Sequence, residues 1–95
     1  MTDARKEAAE TLALQALGWM AGEEGVLMAF LAASGAAPEE LRARALEPGF
    51  LASVLDFLLT DDAWVMAFCD AAGRRYDEPM QAALVLGGAR HRHWT

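Results

Sequence analysis

The chain predicts an all-α fold, a single compact bundle of five to six helices, and three observations carry that reading. Ala is the commonest residue and Leu the next, while Ile is absent and Tyr occurs once, a composition that favours helix over strand. Acidic pairs recur at Glu23-Glu24, Glu39-Glu40, Asp61-Asp62 and Asp77-Glu78, each ahead of an apolar periodic stretch. Negative charge there meets the unpaired N–H groups and positive dipole end of a helix. Pro38, Pro48 and Pro79 suit first-turn positions, and Gly22, Gly35 and Gly73 suit helix ends.

Taken in order, the first helix runs near residues 3–20, before Gly22. The second, near 23–34, opens on Glu23-Glu24 and closes at Gly35. Pro38 starts a third near 38–46, and Pro48 a fourth near 48–59. Asp61-Asp62 starts a fifth near 61–72, closed by Gly73, and Asp77-Glu78 a sixth near 77–86. The expected organisation is a helical domain over 1–88 and a flexible C-terminal tail over 89–95.

Shifting the chain by 38 residues lays Leu12–Leu46 over Phe50–Leu84, with nine identities in 35 positions. The clearest part sets Glu24-Gly25-Val26-Leu27-Met28-Ala29-Phe30 against Asp62-Ala63-Trp64-Val65-Met66-Ala67-Phe68. Both successive spacings of the acidic pairs, 23 to 39 and 61 to 77, are 16. The pattern predicts repeats over 12–46 and 50–84, a duplicated three-helix unit with pseudo-twofold character. The leading helix of each half is apolar over most of its girth. In the second half Phe50, Leu51, Val54, Leu55 and Leu58 cover a broad face, and Ser53, Asp56 and Thr60 form a narrow polar stripe. Two such helices are expected to bury against each other.

Composition excludes several classes of function. Fourteen acidic against eight basic residues give a net charge of −6, against general binding to a phosphate backbone. The single cysteine, Cys69, excludes a disulfide framework and a Cys-rich zinc module. The longest charge-free stretch, Gly25 to Pro38, has 14 residues, short of the roughly 20 a spanning helix needs. Met1-Thr2-Asp3-Ala4-Arg5-Lys6-Glu7 mixes both signs of charge, unlike a secretory signal. A cytoplasmic location is the expectation.

Ala13-Leu14-Gln15-Ala16-Leu17-Gly18-Trp19-Met20-Ala21, Leu41-Arg42-Ala43-Arg44-Ala45, the run Phe50–Leu59 and Phe68-Cys69-Asp70-Ala71-Ala72-Gly73 carry a family likeness. Over about residues 8 to 80 the chain resembles domain-of-unknown-function family 3572, small proteins of alphaproteobacteria. The resemblance implies a helical cytoplasmic protein. Its matching residues pack and cap helices, and it implies no activity or catalytic position.

Chemistry-bearing residues are few. Helix capping accounts for the acidic pairs, and no 12-residue calcium loop is present. Cys69 aligns with Leu31, an apolar position, and the only histidines, His91 and His93, lie at the C-terminus. Cys69 therefore reads as a core residue rather than a nucleophile. In an extended tail both imidazoles could reach one metal ion, but the flanking Arg90 and Arg92 oppose a cation. No Gly-rich phosphate loop, Gly-x-Ser-x-Gly or His-Glu-x-x-His occurs. No catalytic, cofactor or metal residues are assigned, and an enzyme is not expected. At helical spacing Trp19, Trp64, Met20, Met28, Met66 and Met80 read first as core, with the lining of an apolar ligand groove as the alternative.

The residual signal is the 55% hydrophobic content, high for a small domain. It points to an apolar helix face that binds another protein or closes a homodimer. Trp19, Phe57 and Trp64 are the candidate contact residues, Trp19 and Phe57 being matched in the repeat and expected to be semi-exposed. The alternative is a nucleic-acid-associated or regulatory protein using Arg90, His91, Arg92, His93 and Trp94.

Overall fold

A computed structural model describes residues 3–92, which form six α-helices and no strand. They are α1 (Ala4–Gly22), α2 (Glu24–Ser34), α3 (Leu41–Arg44), α4 (Pro48–Leu58), α5 (Asp62–Ala72) and α6 (Glu78–Arg92), with a 3₁₀ turn over Pro38–Glu40 before α3. Among the described residues no single helix is long and apolar enough to cross a membrane.

The helix ends follow from local chemistry. Asp3 caps α1 by accepting from the backbone N–H groups of Arg5 and Lys6 at 3.0 and 3.2 Å. Asp61 caps α5 through the N–H of Ala63 at 2.8 Å. Glu40 reaches back to the N–H of Ala37 at 2.8 Å, and Glu78 to that of Arg75 at 2.7 Å. The acidic pairs thus supply caps at three of their four sites; Glu23 makes no side-chain cap bond. α2 and α5 each end on a left-handed glycine, Gly35 at φ 76° and Gly73 at φ 70°, a conformation that costs glycine nothing.

Two elements differ from the sequence expectation. The third helix, expected over 38–46, is a 3₁₀ turn followed by the four-residue α3. Pro48, which opens α4 only four residues past Arg44, limits its length. The sixth, expected to stop at 86 before Gly87-Gly88, bends at Gly87 (φ −110°, ψ 22°) and stays helical to Arg92. Glycine weakens a helix by about 1 kcal/mol without ending it here. Residues 89–92 of the expected flexible tail therefore have helical backbone; residues 93–95 lie outside the described residues.

The core lies between α1, α4 and α6, with α6 packed on both of the other two. Leu12, Ala13, Ala16, Leu17 and Met20 of α1 are buried with Phe50, Leu51, Val54, Leu55 and Leu58 of α4. These sets are related position by position by the 38-residue shift. α2 packs on α1 and α5 on α4, and each also crosses to the other half, α2 to α4 and α5 to α1.

Candidate functional site

The half-buried aromatic residues show how the halves engage. Trp19 of α1 meets Phe68 of α5 edge-on, with centroids 6.2 Å apart and planes at 62°. Phe57 of α4 meets Phe30 of α2 at 5.4 Å, also at 62°. A shift of 38 carries one pair onto the other, so each leading helix packs an aromatic ring against the other half's second helix. Phe57 also stacks on Trp64 at 5.0 Å and 28°. Phe57 and Trp64 are therefore brought together, while Trp19 pairs with Phe68. All three are half-buried and pack against the core.

Other apolar residues are more exposed than these three. Gly25, Met28, Ala29, Ala32 and Ala33 of α2 are all exposed, at spacings i, i+3, i+4, i+7 and i+8 that define one helix face. Met28 is 61% exposed. The shift carries this face onto Ala63, Met66, Ala67, Asp70 and Ala71 of α5, also exposed. One difference separates them: Asp70 brings a charge and accepts a 2.7 Å hydrogen bond from the Tyr76 hydroxyl. That bond, which favours the protonated phenol, raises the Tyr76 pKa above its ordinary value.

A third surface is a groove of about 420 Å³ between α1 and α6. Ala8, Ala9 and Leu12 of α1 and Ala82, Leu84 and Val85 of α6 form its apolar lining, and Arg5, Arg74, Glu78 and Gln81 its polar groups. At one end Arg74 donates from Nε to Gln15 Oε1 at 2.7 Å and from Nη1 to Glu78 Oε1 at 2.8 Å. The Arg75 backbone N–H first, and the Arg74 guanidinium after it, hold Glu78 below the ordinary glutamate range. Sequence reading did not single out this groove, because Gln15 and Arg74 are 59 residues apart and no local periodicity links them. Met28, Met66 and Met80, read from the sequence as core, are instead 61%, 45% and 48% exposed, because α2, α5 and α6 turn these positions outward.

Cys69 is fully buried and its Sγ lies 3.3 Å from the Arg75 carbonyl oxygen. Burial, and then the nearby Glu78, push the thiol pKa up, the opposite of what a nucleophilic cysteine requires. Among the described residues no group of three or more His, Cys, Asp and Glu side chains is gathered as a metal site would need. Arg90, His91 and Arg92 fall in the last turns of α6, while His93 and Trp94 lie outside the described residues.

Comparison with curated proteins and with solved structures finds no match. Residues 6–89 match the model of a protein family of unknown function, DUF3572, and since that span covers most of the chain, the chain belongs to that family.

Proposed function

We propose that this chain is a small, cytoplasmic, non-enzymatic interaction module that binds another protein, or a second copy of itself, through its apolar helix faces. The observation that carries the reading is the outward face of α2, where Gly25, Met28, Ala29, Ala32 and Ala33 are exposed with no charged side chain among them. Such a face gains nothing from water and has the spacing that lets another helix lie along it. Methionine adapts its shape to varied partners, and the half-exposed Trp19, Phe57 and Trp64 add aromatic contact area of the kind enriched at interfaces. A buried thiol with a raised pKa agrees with a role in binding rather than covalent chemistry.

The test joins sedimentation equilibrium of the pure chain with a crosslinked pull-down from native cytoplasm, repeated with Met28→Glu, Trp19→Ala and Phe57→Ala. Each variant is first checked for native helicity by circular dichroism. A dimer or defined hetero-complex that Met28→Glu abolishes is the expected result. A complex untouched by all three variants moves the surface elsewhere and overturns the assignment. A chain that is monomeric and partnerless in both measurements overturns the binding reading itself.

A further inference from the structure

We propose that the groove between α1 and α6 is a binding site for a small amphipathic carboxylate, an apolar body ending in one carboxyl group. Its size, about 420 Å³, lies within the range of small-ligand pockets, roughly 300–1,000 Å³. Ala8, Ala9 and Ala82 line its middle, and their short side chains leave the space that larger residues between two packed helices would fill.

The charges set the polarity of the ligand. Among the described lining residues, Arg5 and Arg74 against Glu78 give one net positive charge, in a chain whose net charge is −6. The other carboxylates of α1, Glu7 and Glu10, do not line it. Arg74 is already engaged by Gln15 and Glu78, so that end is closed by an internal ion pair. Arg5 differs. Among the described residues Arg44, Arg74 and Arg75 each form an ion pair with a carboxylate, and Arg5 forms none. About 15 Å of helix axis separates Arg5 from Gln15, at 1.5 Å per residue. A ligand carboxylate held by the Arg5 guanidinium therefore has room to lay its apolar body across Ala8, Ala9, Ala82 and Val85 before meeting the Arg74–Glu78 pair. Among the described lining residues, a cationic ligand meets one carboxylate, the already engaged Glu78, and is repelled by Arg5.

The experiment uses the full chain, titrated with octanoate and separately with octylammonium below their micellar concentrations, with alanine and valine methyl shifts as the readout. Octanoate is expected to shift the methyls of Ala8, Ala9, Ala82 and Val85 saturably, and octylammonium at least tenfold more weakly. Arg5→Gln is expected to weaken octanoate by about three- to fivefold, the range of an exposed charge pair. Ala8 is exposed, so Ala8→Leu fills the groove without disturbing the core and is expected to abolish the shifts. Equal binding of both probes, octanoate shifts that survive Ala8→Leu, or an Arg5→Gln variant that binds as wild type overturns the proposal. These outcomes are independent of Met28 and of the interaction reading above.

Discussion

The first half of the molecule, α1 to α3, and the second, α4 to α6, agree in detail in some places and part company in others. Gly35 and Gly73 close the second helix of each half in the same left-handed conformation. Glu40 binds back to Ala37 as Glu78 binds back to Arg75. The Trp19–Phe68 and Phe57–Phe30 pairs exchange under the same shift. The third helices do not correspond in this way. α6 has 15 residues and packs on both α1 and α4, whereas α3 has four and makes its chief backbone contacts with the turn before it. Position 44 shows one reason. There α3 carries Arg44, whose guanidinium lies 5.0 Å from the centre of the Phe50 ring, while the matching residue of α6, Ala82, is buried. An arginine does not enter the space between two apolar helices without a partner for its charge. Similar caps can therefore start helices with quite different tertiary roles.

The largest effects should come from the crossed aromatic pairs. Phe30→Ala and Phe68→Ala remove rings that are each 1% exposed, and each is expected to cost about 3–5 kcal/mol in urea unfolding. Phe30 faces two rings, Phe50 and Phe57, so its loss should be the greater. A cost below about 1 kcal/mol for either one breaks the equivalence of the two crossings.

The third helices can be tested by exchange. Ala82→Arg places the residue of α3 into the buried position of α6 and should destabilise by at least about 3 kcal/mol. The reverse change, Arg44→Ala, should cost about 1 kcal/mol, the worth of a half-buried cation–π contact. Equal thermal shifts for the two variants would remove the distinction between α3 and α6.

Gly35→Ala and Gly73→Ala sharpen the likeness instead. A Cβ at either site meets nothing within 4 Å, so only backbone strain acts, about 1 kcal/mol for each. Unfolding midpoints that fall by the same amount support a shared turn geometry; a change confined to one site contradicts it.

The smallest effect concerns the two back-bonding glutamates. Glu78 also pairs with Arg74, and its pKa in the folded chain is lowered, first by the Arg75 backbone N–H. Stability from this group is present above the ordinary glutamate value and is lost as pH falls through the lowered one. Glu78→Gln should therefore flatten the acid limb of the stability curve below the ordinary glutamate range. Glu40→Gln retains a carbonyl oxygen for the Ala37 N–H and should change stability at neutral pH less than Glu78→Gln. Acid titrations of unfolding for the two variants and wild type decide the matter.

Much of this architecture was legible in the chain because it rests on local chemistry. Acid before an apolar run, proline in a first turn and glycine at a helix end act within a few residues, so helix starts near 24, 48, 62 and 78 could be read from spacing alone. The burial of α1 and α4 followed from how much of their girth is apolar. The candidate surfaces were less legible. Trp19, Phe57 and Trp64 stand out as large apolar residues, yet all three are half-buried, and an open apolar face belongs instead to the small residues around Met28. The pairing of Arg74 with Gln15, and with it the closed end of the α1–α6 groove, left no periodic trace.

The sequence by itself determined the helical class, the starts of every helix but the third to within a residue or two, and the 38-residue correspondence, since capping, propensity and periodicity operate over one or two turns. Only the tertiary structure decided that the halves cross, each sending a ring to the other's second helix, and that α6 lies across both central helices while α3 stays at the margin. Those choices depend on which side chains meet across tens of residues. They are settled by the volume and charge that a packed interface can accept, as Ala82 is accepted where Arg44 is not.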